Sequence, residues 1–241
     1  MTLPLAGKKA LVTGSTQGLG RAAAKQFEAA GCTIVVNGFA DGKYVGADLR
    51  SPSEIESMIK RAGAIDILVN NAVVRHTAPV ENFEPDAWNE GLAVNLSAAF
   101  HTIRLVLPAM KARGWGRIIN VSSIYGQRGA ANRVAYVTTK TALIGLTRAV
   151  AMEVVGTGVT CNAICPGTTE TPVHEATIQS LMHTDSLSHE DAVRKFLAGK
   201  QPTSRIIAAD DVAAMMLFLC GPASRDINGS ILSIDAAWSA G

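Results

Sequence analysis

Thr13-Gly14-Ser15-Thr16-Gln17-Gly18-Leu19-Gly20 is the stretch on which the fold turns. It follows Ala10-Leu11-Val12-Thr13, an apolar run of strand type, and leads into Arg21 to Ala30, whose periodicity predicts a helix closed by Gly31. Thr33-Ile34-Val35-Val36 then reads as a second strand. Strand, helix and strand make a βαβ unit, in which the crossover brings the second strand back parallel to the first. Glycines at Gly14, Gly18 and Gly20 permit a tight turn, a close backbone approach to a pyrophosphate and close packing of the helix, whose N-terminus faces the phosphate charge. A dinucleotide is implied, although an ordinary strand-to-helix turn can carry the same residues.

The alternation continues outward. Tyr44 to Leu49 is expected as a third strand, and Ser51-Pro52-Ser53-Glu54 supplies an N-cap, a proline at the first helical position and a carboxylate three residues past the cap, predicting a helix to Ala62. Ile65 to Asn70 is the fourth strand, Asp86 to Lys111 a long helix and Arg117 to Val121 the fifth strand. A helix over Arg133 to Val155, a strand over Val159 to Cys165, a helix over Asp211 to Cys220 and a strand over Ile231 to Ile234 complete the pattern. The expectation is one α/β domain over 1–241, a Rossmann-type doubly wound parallel sheet with helices on both faces. Thr168 to Ser204 breaks the rhythm, being polar and helix-like in pieces, and reads as a lid over the active site.

With 241 residues, 48% of them hydrophobic, 17% charged and a net charge of +2, the chain can bury a large core and has no basic run suited to nucleic acid or a membrane surface. A small-molecule partner is expected. Cys32, Cys161, Cys165 and Cys220 form no CxxC pair and have no histidine set beside them, so buried free thiols in a reducing cytoplasm are expected, and no metal. Met1 to Lys9 has no leader character, and no run approaches membrane-spanning length.

Tyr136-Val137-Thr138-Thr139-Lys140 puts a phenol and an ammonium on one face of a helix, where the cation favours the phenolate and lets it act as a base. The same spacing also occurs in exposed surface pairs. Ser123, just past the fifth strand, and Asn95, inside the long helix, complete a polar set. With TGxxxGxG at Thr13 to Gly20, Asn70-Asn71-Ala72 after strand four, Asn95, Ser123, Tyr136, Lys140 and Pro166-Gly167 in order, the chain resembles the short-chain dehydrogenase/reductase family over essentially its whole length. The resemblance implies hydride transfer between a secondary alcohol and a ketone: Tyr136 exchanges the proton, Ser123 holds the substrate oxygen, Lys140 binds the nicotinamide ribose and Asn95 anchors a water in a proton relay. The implied cofactor contacts are Gly14, Thr16, Gln17, Gly18, Leu19, Gly20, Gly38, Phe39, Asp48, Leu49, Asn71, Ala72, Tyr136, Lys140, Pro166, Gly167, Thr169 and Thr171.

Three departures from the family pattern stand out. Val73 follows Asn71-Ala72 where the family has a glycine, Asp235-Ala236-Ala237 stands where it has a glycine pair, and Asn37 to Lys43 is too short for its usual helix. Ser15, Thr16, Gln17, Asn37, Gly38 and Phe39 offer no cation for a 2′-phosphate, so NAD is expected over NADP. Asn37-Gly38-Phe39, Gly46 to Leu49, His76-Thr77-Ala78, Gly114 to Asn120 and Lys200-Gln201-Pro202 are most similar to bacterial 3-hydroxybutyrate dehydrogenases. Positions resembling that group's carboxylate-binding residues are here Arg75, Tyr125 and Arg133, which points to a small hydroxy acid without fixing which one. A 3-oxoacyl thioester, a sugar acid and a cyclic hydroxy acid stay open as substrates, and a non-catalytic cofactor-binding regulator is the alternative in kind. The resemblance also implies a homotetramer paired through the long helices, to which Leu143, Ile144 and Leu146 add apolar surface.

Overall fold

The computed structural model describes residues 4–240; Met1 to Leu3, at the start of the N-terminal segment considered above, and Gly241 lie outside them. Strand β1 (Lys9–Val12) leads through helix α1 (Gly18–Ala29) to β2 (Thr33–Val36), the expected βαβ unit. A hairpin of β3 (Gly38–Ala40) and β4 (Lys43–Val45) follows, then α2 (Pro52–Ala62) and β5 (Ile67–Asn70). Next come α3 (Pro85–Leu92), a π-helical segment (Ala93–Ser97), α4 (Ala98–Arg113), β6 (Gly116–Val121) and α5 (Val134–Glu153). The chain ends through β7 (Val159–Pro166), α6 (Pro172–Thr184), α7 (His189–Leu197), α8 (Ala209–Phe218) and β8 (Ile231–Ile234).

The main sheet has the parallel order β2-β1-β5-β6-β7-β8. Alternate strand residues point to opposite faces, and each face has its own core. Leu11, Leu68, Ile118 and Cys161 pack with α2, α4 and α5 residues such as Ile55, Ile103, Met110 and Val150. Ala10, Val12, Val69, Ile119 and Ile164 pack on the other side with Phe27 of α1 and Val212 and Met216 of α8. Strand order reverses between β1 and β5, so the loops beyond these two strands part and leave a crevice.

The expected third strand is corrected. Tyr44 to Leu49 does not join the main sheet; Lys43–Val45 pairs antiparallel with Gly38–Ala40 across the turn Asp41-Gly42, both at positive φ (51° and 74°). This is the two-residue hairpin that Asp-Gly favours, because its backbone twist matches that of the flanking strands. Phe39 and Tyr44 face each other across it with ring centroids 5.0 Å apart. The α2 cap forms as expected on its first half: Ser51 Oγ accepts from Glu54 N, but the Glu54 carboxylate accepts from Asp48 N at 2.8 Å instead of returning to the cap. Pro85–Arg113 is one helical stretch of 29 residues, apolar enough by length and composition to cross a bilayer, contrary to the sequence expectation. Ile103, Val106 and Met110 use its apolar side in the core against the sheet.

Candidate active site

A cleft of about 510 Å³ opens beyond the carboxyl ends of β1 and β5. Its floor is the glycine-rich turn. Gly14 holds φ +66°, and a Cβ on Gly20 would lie 2.2 Å from the Gly14 carbonyl oxygen, so bulk at either place would push α1 away from the turn. Gln17 begins α1 with no side-chain cap, and no acidic residue stands in its first turn. Gln17, Gly18, Leu19 and Gly20 all line the cleft, so the unbonded amides of this helix end face a space suited to an anion. Asn71 braces the turn: its Nδ2 donates to Thr13 O at 2.9 Å and Gly14 O at 3.3 Å, while its amide and that of Ala72 donate to Thr13 Oγ1.

At the far end Thr16 Oγ1 donates to Phe39 O, and a Cβ on Gly38 would collide with Thr16, which accounts for glycine there. Buried Asn37 donates through Nδ2 to Val45 O and Ala47 O and exchanges bonds with Ser15, tying the hairpin to the turn. Among the described residues its Oδ1 has no partner, and the residue lines the cleft. An orphaned acceptor, an uncapped helix end and a glycine floor together fit a dinucleotide. Asp48, Leu49 and Arg50 close this end. The Arg50 guanidinium holds Asp48 through Nε at 3.0 Å and Nη2 at 2.7 Å and keeps that carboxyl below the usual range. Arg50 thus places a cation on the cleft wall, outside residues 15–17 and 37–39, which offer none.

At the opposite end Ser123, Tyr136 and Lys140 come together on the same wall. Ser123, past β6, and Tyr136 and Lys140, a turn apart on α5, are all buried. Ser122 Oγ donates to Lys140 O at 2.7 Å and so fixes α5 against the end of β6. Lys140 Nζ donates to Val121 O at 2.6 Å and lies 5.7 Å from the Tyr136 ring centre. Burial resists ionisation of the phenol and is the largest single influence on it. The Lys140 and Arg75 charges and hydrogen bonding from Ser123 and Arg75 outweigh burial and hold Tyr136 below the usual tyrosine range. Burial likewise pulls the Lys140 ammonium down, with Arg75 adding to this and Tyr136 opposing it.

Asn95 is not on the wall. It sits buried in the π-helical segment, where Oδ1 accepts from Val74 N at 2.8 Å and Nδ2 donates to Val74 O at 3.1 Å and Thr139 Oγ1 at 3.4 Å. A π-turn of this sort widens the helix locally and turns a side chain off its regular course. Arg75 does line the cleft, with its guanidinium carbon 5.4 Å from the Tyr136 ring centre. Tyr125 and Arg133 stand behind that wall: Tyr125 packs edge-on between Tyr136 and Trp238, and Arg133 is the N-cap of α5.

Pro166, Gly167, Thr169 and Thr171 line the cleft from the β7 side, and Thr171 Oγ1 caps α6. The 168–204 segment consists mainly of α6 and α7, and α6 brings Pro172, Val173 and His174 to the cleft. His174 was not foreseen. Its Nδ1 lies 2.7 Å from Thr169 O, an acceptor, so that nitrogen carries the proton and Nε2 is left for other partners. No motif marks it, since only the path of α6 brings it there. Val73 stands exposed on the wall where the family pattern has a glycine, and Ala236 and Ala237 adopt φ 53° and 65° where that pattern also has glycines.

Residues 8–181 match the short chain dehydrogenase family. The D-beta-hydroxybutyrate dehydrogenase of Cupriavidus necator is 41% identical over 98% of this chain and 99% of its own length. That of Rhizobium meliloti is 39% identical over 97% and 99%. Among solved structures, L-sorbose reductase from Gluconobacter frateurii, complexed with NADPH and L-sorbose, aligns with a TM-score of 0.91 at 25% identity over 99% of this chain and 98% of that one. A parallel sheet with its cleft at the switch in strand order, and near-full-length likeness to named dehydrogenases, lead to one assignment: the chain belongs to the short-chain dehydrogenase family and is an oxidoreductase acting on hydroxyl groups.

Proposed function

We propose that the enzyme uses NAD to interconvert a small hydroxy acid, such as 3-hydroxybutyrate, and the matching keto acid. One observation carries the acid: Arg75 lines the cleft beside Tyr136 and forms no ion pair among the described residues. A guanidinium so placed binds a carboxylate bidentately and fixes the carbinol carbon at the reacting end of the cleft. The two hydroxybutyrate dehydrogenases support the same substrate class. Arg133 and Tyr125 back this end, with Arg133 adding positive field.

When bound, the cofactor would supply the hydride acceptor in oxidation and, in its reduced form, the hydride donor in reduction. Everything else falls to the chain. Ser123 holds the substrate oxygen, Tyr136 takes its proton in oxidation and returns one in reduction, and Lys140 favours the phenolate and reaches the ribose. Asn95 anchors the proton relay; since its side chain is already engaged with Val74 and Thr139, a relay water would fall to its main-chain carbonyl. Thr16, Gln17, Gly38 and Phe39 offer the adenosine ribose no cation, and Arg50 is already neutralised by Asp48, which supports NAD over NADP.

Reduced-cofactor formation should be followed on hydroxy acids, sugar acids and neutral alcohols with NAD and with NADP. A short-chain hydroxy acid with NAD should give the highest kcat/KM. If the best substrate is uncharged, the acid assignment fails, and if NADP is preferred, the cofactor assignment fails.

A further inference from the structure

Arg75 does more than wait for a substrate. Its guanidinium carbon is 5.4 Å from the Tyr136 ring centre, nearly the same distance as the Lys140 Nζ at 5.7 Å, and it comes from a different element. The backbone before it is fixed, because Asn95 grips both the N–H and the carbonyl of Val74. The two cations also differ in kind. A guanidinium stays charged under all ordinary conditions, whereas a buried ammonium is pushed toward its neutral form, and burial does this to Lys140.

We propose that Arg75 is a second cation of the catalytic centre that acts through Tyr136, stabilising the phenolate alongside Lys140 and coupling its formation to the charge of the substrate. This rests on the reading that Tyr136 is the proton acceptor. The groups around the phenol are Lys140 on its own helix, Ser123 and Tyr125 from the segment after β6, and Arg75 from the loop after β5. Arg133 lies beyond Tyr125, Cys165 of β7 lies beside Lys140, and His174 of α6 feels Arg75, Lys200 and Arg133. Among the described residues no carboxylate acts on the phenol, the Glu90 of the same cleft being paired with Arg50 and His76, so the field of Arg75 on the phenol is not cancelled there. A substrate carboxylate docked on Arg75 would cancel it. The phenol should therefore ionise at lower pH before an acid binds than after, and a neutral alcohol should leave it low.

The test is an ultraviolet titration of tyrosinate in the cofactor-free protein, which has 3 tyrosines, Tyr44, Tyr125 and Tyr136. Subtracting the Tyr136→Phe curve isolates the phenol in question. Arg75→Gln and Arg75→Met should each move that ionisation up by roughly one pH unit, while Arg75→Lys, which keeps the charge, should stay close to wild type. The acid limb of kcat/KM for oxidising a neutral secondary alcohol should rise by the same amount in Arg75→Gln. A Tyr136 ionisation unmoved in the folded neutral variants, or moved equally by Arg75→Lys, overturns the proposal. A Tyr136→Phe enzyme that still turns over would instead overturn the proton-acceptor reading, and the titration would still decide whether Arg75 tunes the phenol.

Discussion

Tyr136 is where burial and charge oppose each other most directly, and the outcome sets the pH dependence. Its phenol is held below the usual tyrosine range, so the phenolate is available above that lowered value and lost below it. Oxidation, which needs the base, should rise with pH through this ionisation, and reduction, which needs the protonated phenol, should fall through it. Tyr136→Phe should lower turnover by roughly 10²-fold or more while NAD affinity, measured by calorimetry, stays nearly intact. Turnover above a tenth of wild type would remove the phenol from the mechanism. Lys140→Ala should weaken both turnover and cofactor binding; unchanged affinity would deny it the ribose. The four buried thiols should be inert to thiol reagents until the protein unfolds, since burial pushes Cys32 up to about 11 and Cys161 up to about 12. That Tyr136 and Lys140 share a face was legible because helical spacing alone decides it, whereas Ser123 was read from its place past a strand and from the family pattern. His174 was not legible, since only the path of α6 brings it to the cleft, and Arg50 was not, because its pairing with Asp48 is local but the facing of that pair onto the cleft is set by the fold.

Among the elements, the regular strands and helices matched their sequence patterns closely, and the irregular pieces did not. Continuous apolar strand runs and the Ser51-Pro52 cap are local signals, whereas the hairpin at Gly38–Val45 competes with a plain strand reading of the same residues. Asp41-Gly42 was the available clue, and it lay inside the segment read only as a short link. The π-helical turn at Asn95 left no such mark, because it depends on the grip of Asn95 on Val74. Near the C-terminus the substitution of alanines for glycines has an energetic meaning. Ala236 and Ala237 both sit at positive φ, a conformation costing about 1 kcal/mol or more for a residue with a Cβ. Ala236→Gly and Ala237→Gly should each stabilise by up to about 1 kcal/mol, the relieved strain being partly offset by greater freedom of the unfolded chain. Thermal melts showing either variant clearly less stable would mean that the methyl groups do more by packing than they cost in strain. In the opposite sense, Gly20→Ala must displace backbone at Gly14 and should abolish dinucleotide binding in a folded protein.

On the scale of the whole molecule, the sheet divides the apolar side chains into two cores and leaves the cleft where strand order reverses, with Ala47, Leu49 and Val121 shared between core and cleft wall. The same division corrects the reasoning behind the expected assembly. Leu143 and Ile144 are only 2% and 7% exposed within the single chain, facing its own interior, so they cannot supply an intersubunit surface. Apolar exposure on the long helices lies instead at Phe100 of α4, 48% exposed, and Met152 of α5, 75% exposed, with Val155 just beyond α5 at 67%. We retain the homotetramer as a proposal on this different footing. Side chains of this size, each withdrawn from water, stabilise an interface by about 1.5–3 kcal/mol, and a closed symmetric assembly repeats each contact. Light scattering at micromolar concentration should report four chains. Phe100→Glu and Met152→Glu, made separately, should each lower that mass, because either carboxylate would be buried without a partner, while the fold of the single chain, in which neither side chain is a core residue, should be kept. A monomeric wild type, or glutamate variants of unchanged mass, would mean that these residues are ordinary surface and that the long helices do not pair.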